Sequence, residues 1–289
     1  MDGFLLVDKP CGPSSFAVVN TVRRTLLCGK AGHSGTLDPQ ASGLLVVAVG
    51  AATRLLPYLP GEPKRYGFGM QFGTQTDTLD KEGKVTSENG RIPSAVEVAA
   101  SCEQFLGKQL QTPPKYSAVK TDGKRAYERA RNNEEFDLKE KTVTIFSLSL
   151  VSYDAALGIA ECDMTCTAGT YVRALVRDIA QSLGTVAYAA FIRRLAIGPF
   201  SVEGALAFDR IGPGMEKPKV MPVATALASV PSVVVDQGKC DLLSHGKDIE
   251  LSSAAGETAI AYTETGGVAA VLKRNENGMF HPEKVFIKG

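Results

Sequence analysis

Residues 32–43 read Gly32-His-Ser-Gly-Thr-Leu-Asp38-Pro-Gln-Ala-Ser-Gly43, a glycine-rich loop that carries a single carboxylate. The apolar run from Leu44 to Gly50 follows at once and is typical of a buried strand. Loops held by rigid elements often carry catalytic groups. An Asp-Pro dipeptide on its own more often serves the geometry of a turn. Asp38 is therefore a candidate catalytic residue, and the rest of the sequence has to decide between a catalytic and a turn-forming role.

Helical and strand periods alternate on both sides of this loop. Ser14 can cap a helix whose apolar residues follow the helical period, and residues 66–72 place an aromatic or apolar side chain at every second position, as a strand with one buried face does. Ser94 and Glu97 form a capping box for another helix, which stops at Gly107. These local signals predict helices and strands interleaved along the chain.

The second half of this region adds a pair of strands and a helix. Residues 142–153 and 158–167 predict two strands joined by a short turn, and residues 172–183 predict a helix. Cys162 and Cys166 alternate with polar residues on the second strand, so both thiols are expected on its buried face and not at a metal. The pattern predicts an α/β (α+β) fold with a mixed, largely antiparallel sheet flanked by helices.

The composition changes near residue 220. Residues 212–222 interrupt the periodicity as a linker does. Beyond them, residues 231–289 contain short strand-like runs separated by glycines, at 233–235, 258–262, 268–272 and 284–287. The sequence therefore predicts a large domain over residues 1–220 and a small β-barrel domain over residues 221–289.

Composition limits the class of protein. Of the 289 residues, 44% are hydrophobic and 22% are charged, which excludes a disordered or fibrous chain. Asp8 and Lys9 come too soon for the apolar region of a signal peptide, and no apolar run approaches the roughly 20 residues that span a bilayer, so a cytoplasmic protein is expected. The net charge is only +1, but residues 115–131 carry six bases and two acids. That stretch suits either phosphate binding or a solvated basic face.

The loop and several distant segments together resemble the TruB-type pseudouridine synthases. His33, the core Gly35-Thr-Leu-Asp38-Pro39 and the trailing Ala-Ser-Gly-Leu-Leu match the catalytic motif of that family without gaps. The resemblance covers residues 3–200 through segments in the family's order: Gly3-Phe-Leu-Leu-Val-Asp-Lys-Pro10, Lys64-Arg-Tyr66, Phe72-Gly-Thr-Gln-Thr-Asp-Thr-Leu-Asp80, Gln111-Thr-Pro-Pro-Lys-Tyr-Ser-Ala118, Gly169-Thr-Tyr-Val-Arg173 and Arg193-Arg-Leu195. Three positions depart from the family pattern, none of them catalytic: Phe16, Ser34 and Pro114.

The resemblance implies an isomerase that converts uridine to pseudouridine in the T loop of tRNA, at position 55, with no cofactor and no metal. Asp38 is the implied catalytic carboxylate, acting either by attack on the nucleoside or by taking the ribose 2′ proton. Either route needs an ionised carboxylate, which an adjacent cation favours. The implied partners of Asp38 in catalysis are Arg173, Tyr66 and Tyr171, and the implied substrate-binding residues are His33, Leu195, Lys9, Lys64 and Lys115.

The C-terminal segment, which ends in His281-Pro-Glu-Lys-Val-Phe286, resembles the PUA-type RNA-binding domain of bacterial members. The chain is short and lacks a long Lys-rich tail, so we expect the stand-alone bacterial type, a monomer that recognises the tRNA T stem-loop without an obligatory protein partner. The main rival is a tRNA-binding or tRNA-folding protein without activity. A carboxylate beside phosphates repels them, so Asp38 argues for the enzyme. A single-Asp hydrolase is a weaker rival, because glycoside hydrolysis uses two carboxylates and Asp77 and Asp80 look like turn formers.

Overall fold

The computed structural model describes residues 2–88, 90–121, 123–132, 134–212, 216–251 and 256–287. Its α-helices are α1 Ser15–Thr25, α2 Ala95–Gln104, α3 Ala126–Arg131, α4 Val172–Ser182, α5 Val223–Ala226 and α6 Gln237–Ser244. Short 3-10 helices cover Gly50–Tyr58, Val202–Gly204 and Phe208–Arg210.

The strands before residue 220 are β1 Gly3–Lys9, β2 Ala31–His33, β3 Ser42–Val49, β4 Lys64–Phe72, β5 Thr74–Thr76, β6 Val85–Glu88, β7 Gly107–Gln111, β8 Lys120–Thr121, β9 Lys124–Arg125, β10 Lys141–Asp154, β11 Ile159–Cys166, β12 Ala187–Ile197, β13 Phe200–Ser201 and β14 Leu206–Ala207. After it come β15 Ser232–Val235, β16 Thr258–Thr263, β17 Val268–Arg274 and β18 Phe280–Val285.

Ten of these strands form one sheet. Its order is β14-β1-β3-β12-β4-β11-β10-β7, with β2 beside β3 and β13 beside β12. Only β1 with β14 and β3 with β12 pair in parallel; the other pairs in this sheet are antiparallel. The predicted mixed, largely antiparallel sheet is therefore confirmed.

Apolar helix faces cover the sheet. Val18 and Val22 of α1 pack with the buried side chains of β1 and β3, while α2 and α4 cover the part of the sheet built from β4, β10 and β11. Cys162 and Cys166 are 2% and 0% exposed on β11, so the predicted burial of both thiols is confirmed. The predicted caps also form, since the Ser14 hydroxyl accepts a hydrogen bond from the Ala17 amide at 3.1 Å.

The glycine-rich loop connects β2 to β3 and is fixed where it enters β3. Gly43 has a φ of +103°, and it pairs with Arg194 in the short parallel contact between β3 and β12. A Cβ atom at Gly43 would lie 2.2 Å from the Arg194 carbonyl oxygen. Only glycine fits both the conformation and the space, so this position sets how closely β12 approaches the loop.

The C-terminal part forms its own four-stranded sheet in the order β15-β16-β17-β18. Three of the four predicted runs are confirmed, whereas the fourth, at 284–287, overlaps β18 only at residues 284–285, because β18 begins at Phe280 and ends at Val285. Phe280 is fully buried and pairs with Arg274, and Pro282 lies within the strand at an irregular pairing with Leu272. Of the predicted linker at 212–222, residues 213–215 lie outside the described residues.

The two parts of the chain share an apolar cluster. Phe4, Leu44 and Leu55 from the first part pack together with Leu227, Ile260 and Val271 from the second. The Arg54 guanidinium donates to the Val285 carbonyl at 2.6 Å and lies 4.5 Å from the centre of the Phe286 ring. Contact between the parts is therefore both apolar and polar. Within the described ranges, none of the helices has the length and apolarity needed to cross a membrane.

Candidate active site

A cleft of about 770 Å³ opens beside the glycine-rich loop. Its walls come from that loop, from β4, from the start of α4 and from residues 118–121 and 137–141. Five of the residues nominated from the sequence line it: Asp38, Lys64, Tyr66, Tyr171 and Arg173. Segments more than 100 residues apart in sequence thus converge on one site, as the family motifs imply.

A single guanidinium joins two carboxylates in this cleft. Arg173 Nη2 lies 2.7 Å from Asp38 Oδ2, and Nη1 lies 3.3 Å from Asp80 Oδ2. Arg173 also donates to the Thr78 and Tyr116 carbonyls, at 2.7 and 2.8 Å. Its side chain is 4% exposed, whereas that of Asp38 is 38% exposed. The arginine is therefore fixed inside the protein, and the carboxylate it holds is open to the cleft.

Asp80 is a buried member of this group that the sequence did not identify. Its Oδ1 atom accepts from the Glu82 amide at 3.1 Å, which fits the turn role expected for it. The residue is only 2% exposed, however, and it also accepts from the Thr78 hydroxyl, from the Gln40 amide group and from Arg173. Its sequence context predicts a turn, and only the fold shows that its second oxygen meets Arg173.

The two tyrosines lie on different walls of the cleft. Tyr66 is 7% exposed on β4, and burial raises the pKa of its hydroxyl. Tyr171 precedes α4, and the pKa of its hydroxyl is raised by burial and then by the negative charge of Asp38. The Gln111 side chain fixes the Tyr171 backbone, because it accepts from the amide at 2.8 Å and donates to the carbonyl at 3.1 Å. Both phenols are therefore protonated near neutral pH.

Two side chains hold the residues on either side of Asp38. The Ser15 hydroxyl accepts from the Leu37 amide and donates to the Leu37 carbonyl, both at 2.8 Å. Lys9 Nζ donates to the carbonyls of Pro10, Pro13 and Pro39 at 2.8, 2.9 and 3.1 Å. Hydrogen bonds thus fix the loop immediately before and immediately after its carboxylate.

Lys9, nominated from the sequence as a substrate-binding residue, lies inside the protein in this arrangement. Lys9 is 0% exposed, and its three N–H groups already have carbonyl acceptors. Burial lowers the pKa of this ammonium group to about 8. A family motif containing Lys-Pro does not distinguish a surface lysine from one that ties two loops together.

The other nominated substrate-binding residues are more scattered. Lys64 lines the cleft, and its pKa is lowered by burial and then by the charge of Arg194. His33 ends β2, with a pKa lowered by the same two causes in the same order, and its buried Nδ1 has no hydrogen-bond partner among the described residues. Lys115 is exposed and lies outside the set that lines the cleft.

Ile192 is one of the apolar residues lining the cleft, and the sequence reasoning missed it. Leu195, which was nominated as a substrate-binding residue, lies on the same strand but is not among the residues lining the cleft. Its side chain instead lies 3.7 Å from the Cβ position of Gly67, a residue adjacent to Tyr66 and therefore directed to the opposite face of β4. The pairing of β12 with β4 is irregular between Arg194 and Ala196. Side chains therefore do not alternate regularly between the two faces of the sheet there, as a sequence pattern assumes.

Among the described residues, exposed lysines outnumber the one exposed acid, Asp137, at the opening of the cleft. Lys120, Lys139 and Lys141 line it, and only Lys120 belongs to the basic stretch identified at 115–131. Another base of that stretch, Arg129, is instead paired with Glu134 at 3.0 Å. Asp122, one of the two acids of the stretch, lies outside the described residues. The positive charge at this opening suits a polyanionic substrate.

A carboxylate paired with arginine, two tyrosines and a basic opening form the site expected of a pseudouridine synthase. Residues 23–172 match the model for the TruB family pseudouridylate synthases, N-terminal domain. The chain belongs to the TruB family, and the expected pseudouridine synthase fold is thereby confirmed.

Full-length relatives agree with this assignment. A protein named tRNA pseudouridine synthase B from Gluconacetobacter diazotrophicus is 37% identical over 301 residues, covering 99% of this chain and 97% of the relative. A protein of the same name from Caldanaerobacter subterraneus subsp. tengcongensis is 36% identical, covering 99% of both chains. A crystal structure of a Cbf5-Nop10-Gar1 complex matches with a TM-score of 0.74 at 24% identity, over 99% of this chain and 85% of that chain. This structural likeness shows the fold alone.

Proposed function

We propose that this protein isomerises uridine to pseudouridine at position 55 in the T loop of tRNA, as a cytoplasmic monomer without an obligatory protein partner. The proposal depends above all on the Asp38–Arg173 pair at 2.7 Å, which presents an exposed carboxylate to a 770 Å³ cleft. The relatives named tRNA pseudouridine synthase B, which match 99% of the chain, support tRNA as the substrate.

Asp38 acts on the ribose side of the target uridine. It either attacks the nucleoside or takes the 2′ proton while the bond between C1′ and N1 breaks. Both routes need an ionised carboxylate, and Arg173 supplies the cation that favours it. Because Arg173 is also held by Asp80 and two carbonyls, it orients Asp38 without having to reorganise during the reaction.

The uracil ring then turns within the cleft and rejoins C1′ through C5. N1 gains a proton and C5 loses one, so the reaction is an isomerisation with no net change in atoms. A base inside a folded RNA loop has to be extruded before this chemistry. Tyr66 and Ile192 form the walls against which the extruded base stacks. The pKa of the Tyr171 hydroxyl is raised by burial and then by the charge of Asp38. This hydroxyl takes part in a proton transfer as the rejoined nucleoside becomes pseudouridine.

RNA is held by groups around the cleft and by the C-terminal unit. Lys64, Lys120, Lys139 and Lys141 bind phosphates near the target, and the exposed Lys115 extends that basic surface. His33 contacts the extruded nucleotide, and Leu195 supports the wall of the cleft from β12, the strand that also carries Ile192. Residues 221–289 act as a PUA-like RNA-binding domain attached to a catalytic domain over residues 1–220. No cofactor or metal takes part in this scheme.

The test is tritium release from a tRNA transcript labelled at uridine C5, in buffer containing a metal chelator. Wild-type protein is expected to release one tritium per tRNA, and a transcript with cytidine at position 55 is expected to release none. Asp38→Asn should bind the tRNA without releasing tritium. Asp163→Asn is the control, since it removes a carboxylate from the surface pair with Arg65 and should release tritium at the wild-type rate.

The rival function is a tRNA-binding or tRNA-folding protein without activity. The basic cleft opening and the C-terminal unit are sufficient for that role, whereas the buried Arg173 with its two carboxylates is not needed for it. Binding of tRNA without tritium release by the wild-type protein would reject the synthase proposal and favour this rival.

A further inference from the structure

Arg194 is a fully buried cation that the scheme above does not use. It is 1% exposed on β12, in the middle of the ten-stranded sheet. No carboxylate pairs with it among the residues that the structure describes. Burying an unpaired charge is costly, so such a residue needs compensating hydrogen bonds and invites a functional explanation.

The compensating acceptors are carbonyls at both ends of the glycine-rich loop of residues 32–43, hereafter the catalytic loop. Arg194 Nη2 donates to Gly35 at 3.1 Å and Nη1 donates to Thr36 at 3.3 Å, on the approach to Asp38. Nε donates to Leu44 at 2.8 Å, just after the loop joins β3. The backbone of Arg194 also pairs with Gly43. One side chain therefore spans the base of the loop.

The same guanidinium reaches the opposite wall of the cleft. Arg194 pairs with Tyr66 across β12 and β4, which places both side chains on the same face of the sheet. Burial raises the pKa of the Tyr66 hydroxyl, and the positive charge of Arg194 opposes that rise. Asp38 and Tyr66 are thus both held by elements that Arg194 contacts.

We propose that Arg194 is a positioning residue, which fixes the Asp38 loop relative to Tyr66 before RNA binds. This inference rests on the proposed function, because it assigns a role in the same reaction. Arginine suits the role since its planar fork carries donors on three nitrogens, which reach carbonyls at both ends of the loop, whereas lysine carries all its donors on one nitrogen. A displacement of about 1 Å between reacting groups can cost about 100-fold in rate.

The experiment compares Arg194→Lys and Arg194→Gln with Arg193→Gln. Arg193 is the neighbouring residue, but its side chain pairs with Asp8 at 2.7 Å and is 38% exposed. We expect the Arg194 variants to bind tRNA with the wild-type dissociation constant while the single-turnover rate falls by about 100-fold. Arg193→Gln is expected to keep the wild-type rate. Hydrogen exchange in residues 34–41 should accelerate in Arg194→Lys and not in Arg193→Gln.

A folded Arg194→Lys protein with the wild-type rate would overturn the inference. Should both Arg194 variants fail to fold, hydrogen exchange of the wild-type protein decides the question. The bonded amides of Ser34 and Leu37 must then be protected without RNA to the same degree as β3, and rapid exchange there would reject a preformed loop. Absence of turnover by the wild-type protein would reject the proposed function and leave this exchange test intact.

Discussion

Asp80 offers the sharpest test at the scale of single residues. Asp80→Asn removes one of the two carboxylates around the buried Arg173, so we expect the free energy of unfolding to fall by about 3 kcal/mol. The rate of pseudouridine formation should also fall, because Arg173 then holds Asp38 less rigidly. Urea denaturation and tritium release measure the two effects.

The matched control is again Asp163→Asn, whose pair with Arg65 has a similar distance of 3.0 Å but lies at the surface. Such surface pairs contribute at most about 1 kcal/mol. Equal losses of stability in the two variants would show that the buried Asp80–Arg173 pair stabilises the fold no more than the surface Asp163–Arg65 pair does.

The sequence predicted which residues line the cleft better than it predicted which residues hold them in place. Motif matches nominated Asp38, Tyr66, Tyr171 and Arg173, all of which line the cleft. The positions of Asp80, Lys9, Ile192 and Arg194 depend on contacts with segments far away in sequence. A turn aspartate, a motif lysine and a strand arginine look the same in sequence whether they are buried or exposed.

At the scale of elements, the start of α2 predicts a response to acid. Hydrogen bonds from Ser94 and then the Arg91 guanidinium lower the pKa of the Glu97 carboxyl to about 2 in the folded chain, from 4.5. Its stabilising effect is therefore complete above pH 4.5 and is lost as the pH falls toward about 2. The wild type should lose more stability than Glu97→Gln between pH 5 and pH 3, as measured by urea denaturation at the two pH values.

Glu103→Gln controls for the general effect of removing an exposed carboxylate from the same helix. It should follow the wild-type dependence on pH. If the stability of Glu97→Gln shows the wild-type dependence on pH as well, the ionised Glu97 carboxylate of the capping box does not stabilise the fold in solution.

The junction between β3 and β12 is the second prediction at this scale. Gly43→Ala forces a methyl group to within 2.2 Å of the Arg194 carbonyl oxygen and a side chain into a φ of +103°. We expect the free energy of unfolding to fall by at least about 2 kcal/mol. The rate of pseudouridine formation should also fall, because the substitution displaces the catalytic loop where it enters β3. Gly204→Ala, which has open space around its Cβ position, should leave both unchanged. Thermal unfolding and single-turnover assays provide the measurements.

Elements with local signals were predictable, and those defined by partners were not. The Ser14 and Ser94 caps located α1 and α2 within a residue of their observed starts. The central strand β12 went unrecognised because Arg193 and Arg194 interrupt its apolar pattern, although Arg194 is buried. A charged arginine is expected to be exposed. Arg194 is buried because the carbonyls of Gly35, Thr36 and Leu44 accept its hydrogen bonds, and the sequence does not reveal those contacts.

At the scale of the whole molecule, the shared apolar cluster predicts one cooperative unfolding transition. Ile260 is fully buried in a cluster that includes residues from both parts of the chain, so Ile260→Ala should cost about 2–5 kcal/mol. Calorimetry should show a single shifted peak, and hydrogen exchange should accelerate in β1 as well as in β16. Val234→Ala, at a position that is 66% exposed in the same sheet, provides the control. Acceleration confined to β16 would instead indicate two independently folded domains.

The sequence located a change near residue 220 but could not reveal how the two sides meet. The division into residues 1–220 and 221–289 came from local glycine and proline content and stays a prediction. Phe4 and Ile260 share a core across more than 200 residues of sequence, and no local pattern encodes such a contact.

Strand β1 has a consequence for how the protein is made. Its Phe4 exchanges both backbone hydrogen bonds with Met221, at 2.9 and 2.7 Å, and its Lys9 secures the catalytic loop. The roughly 200 residues between Phe4 and Met221 take on the order of 10 to 40 s to synthesise at about 5–20 residues per second. During that interval the ribosome displays an apolar strand whose edge is incomplete.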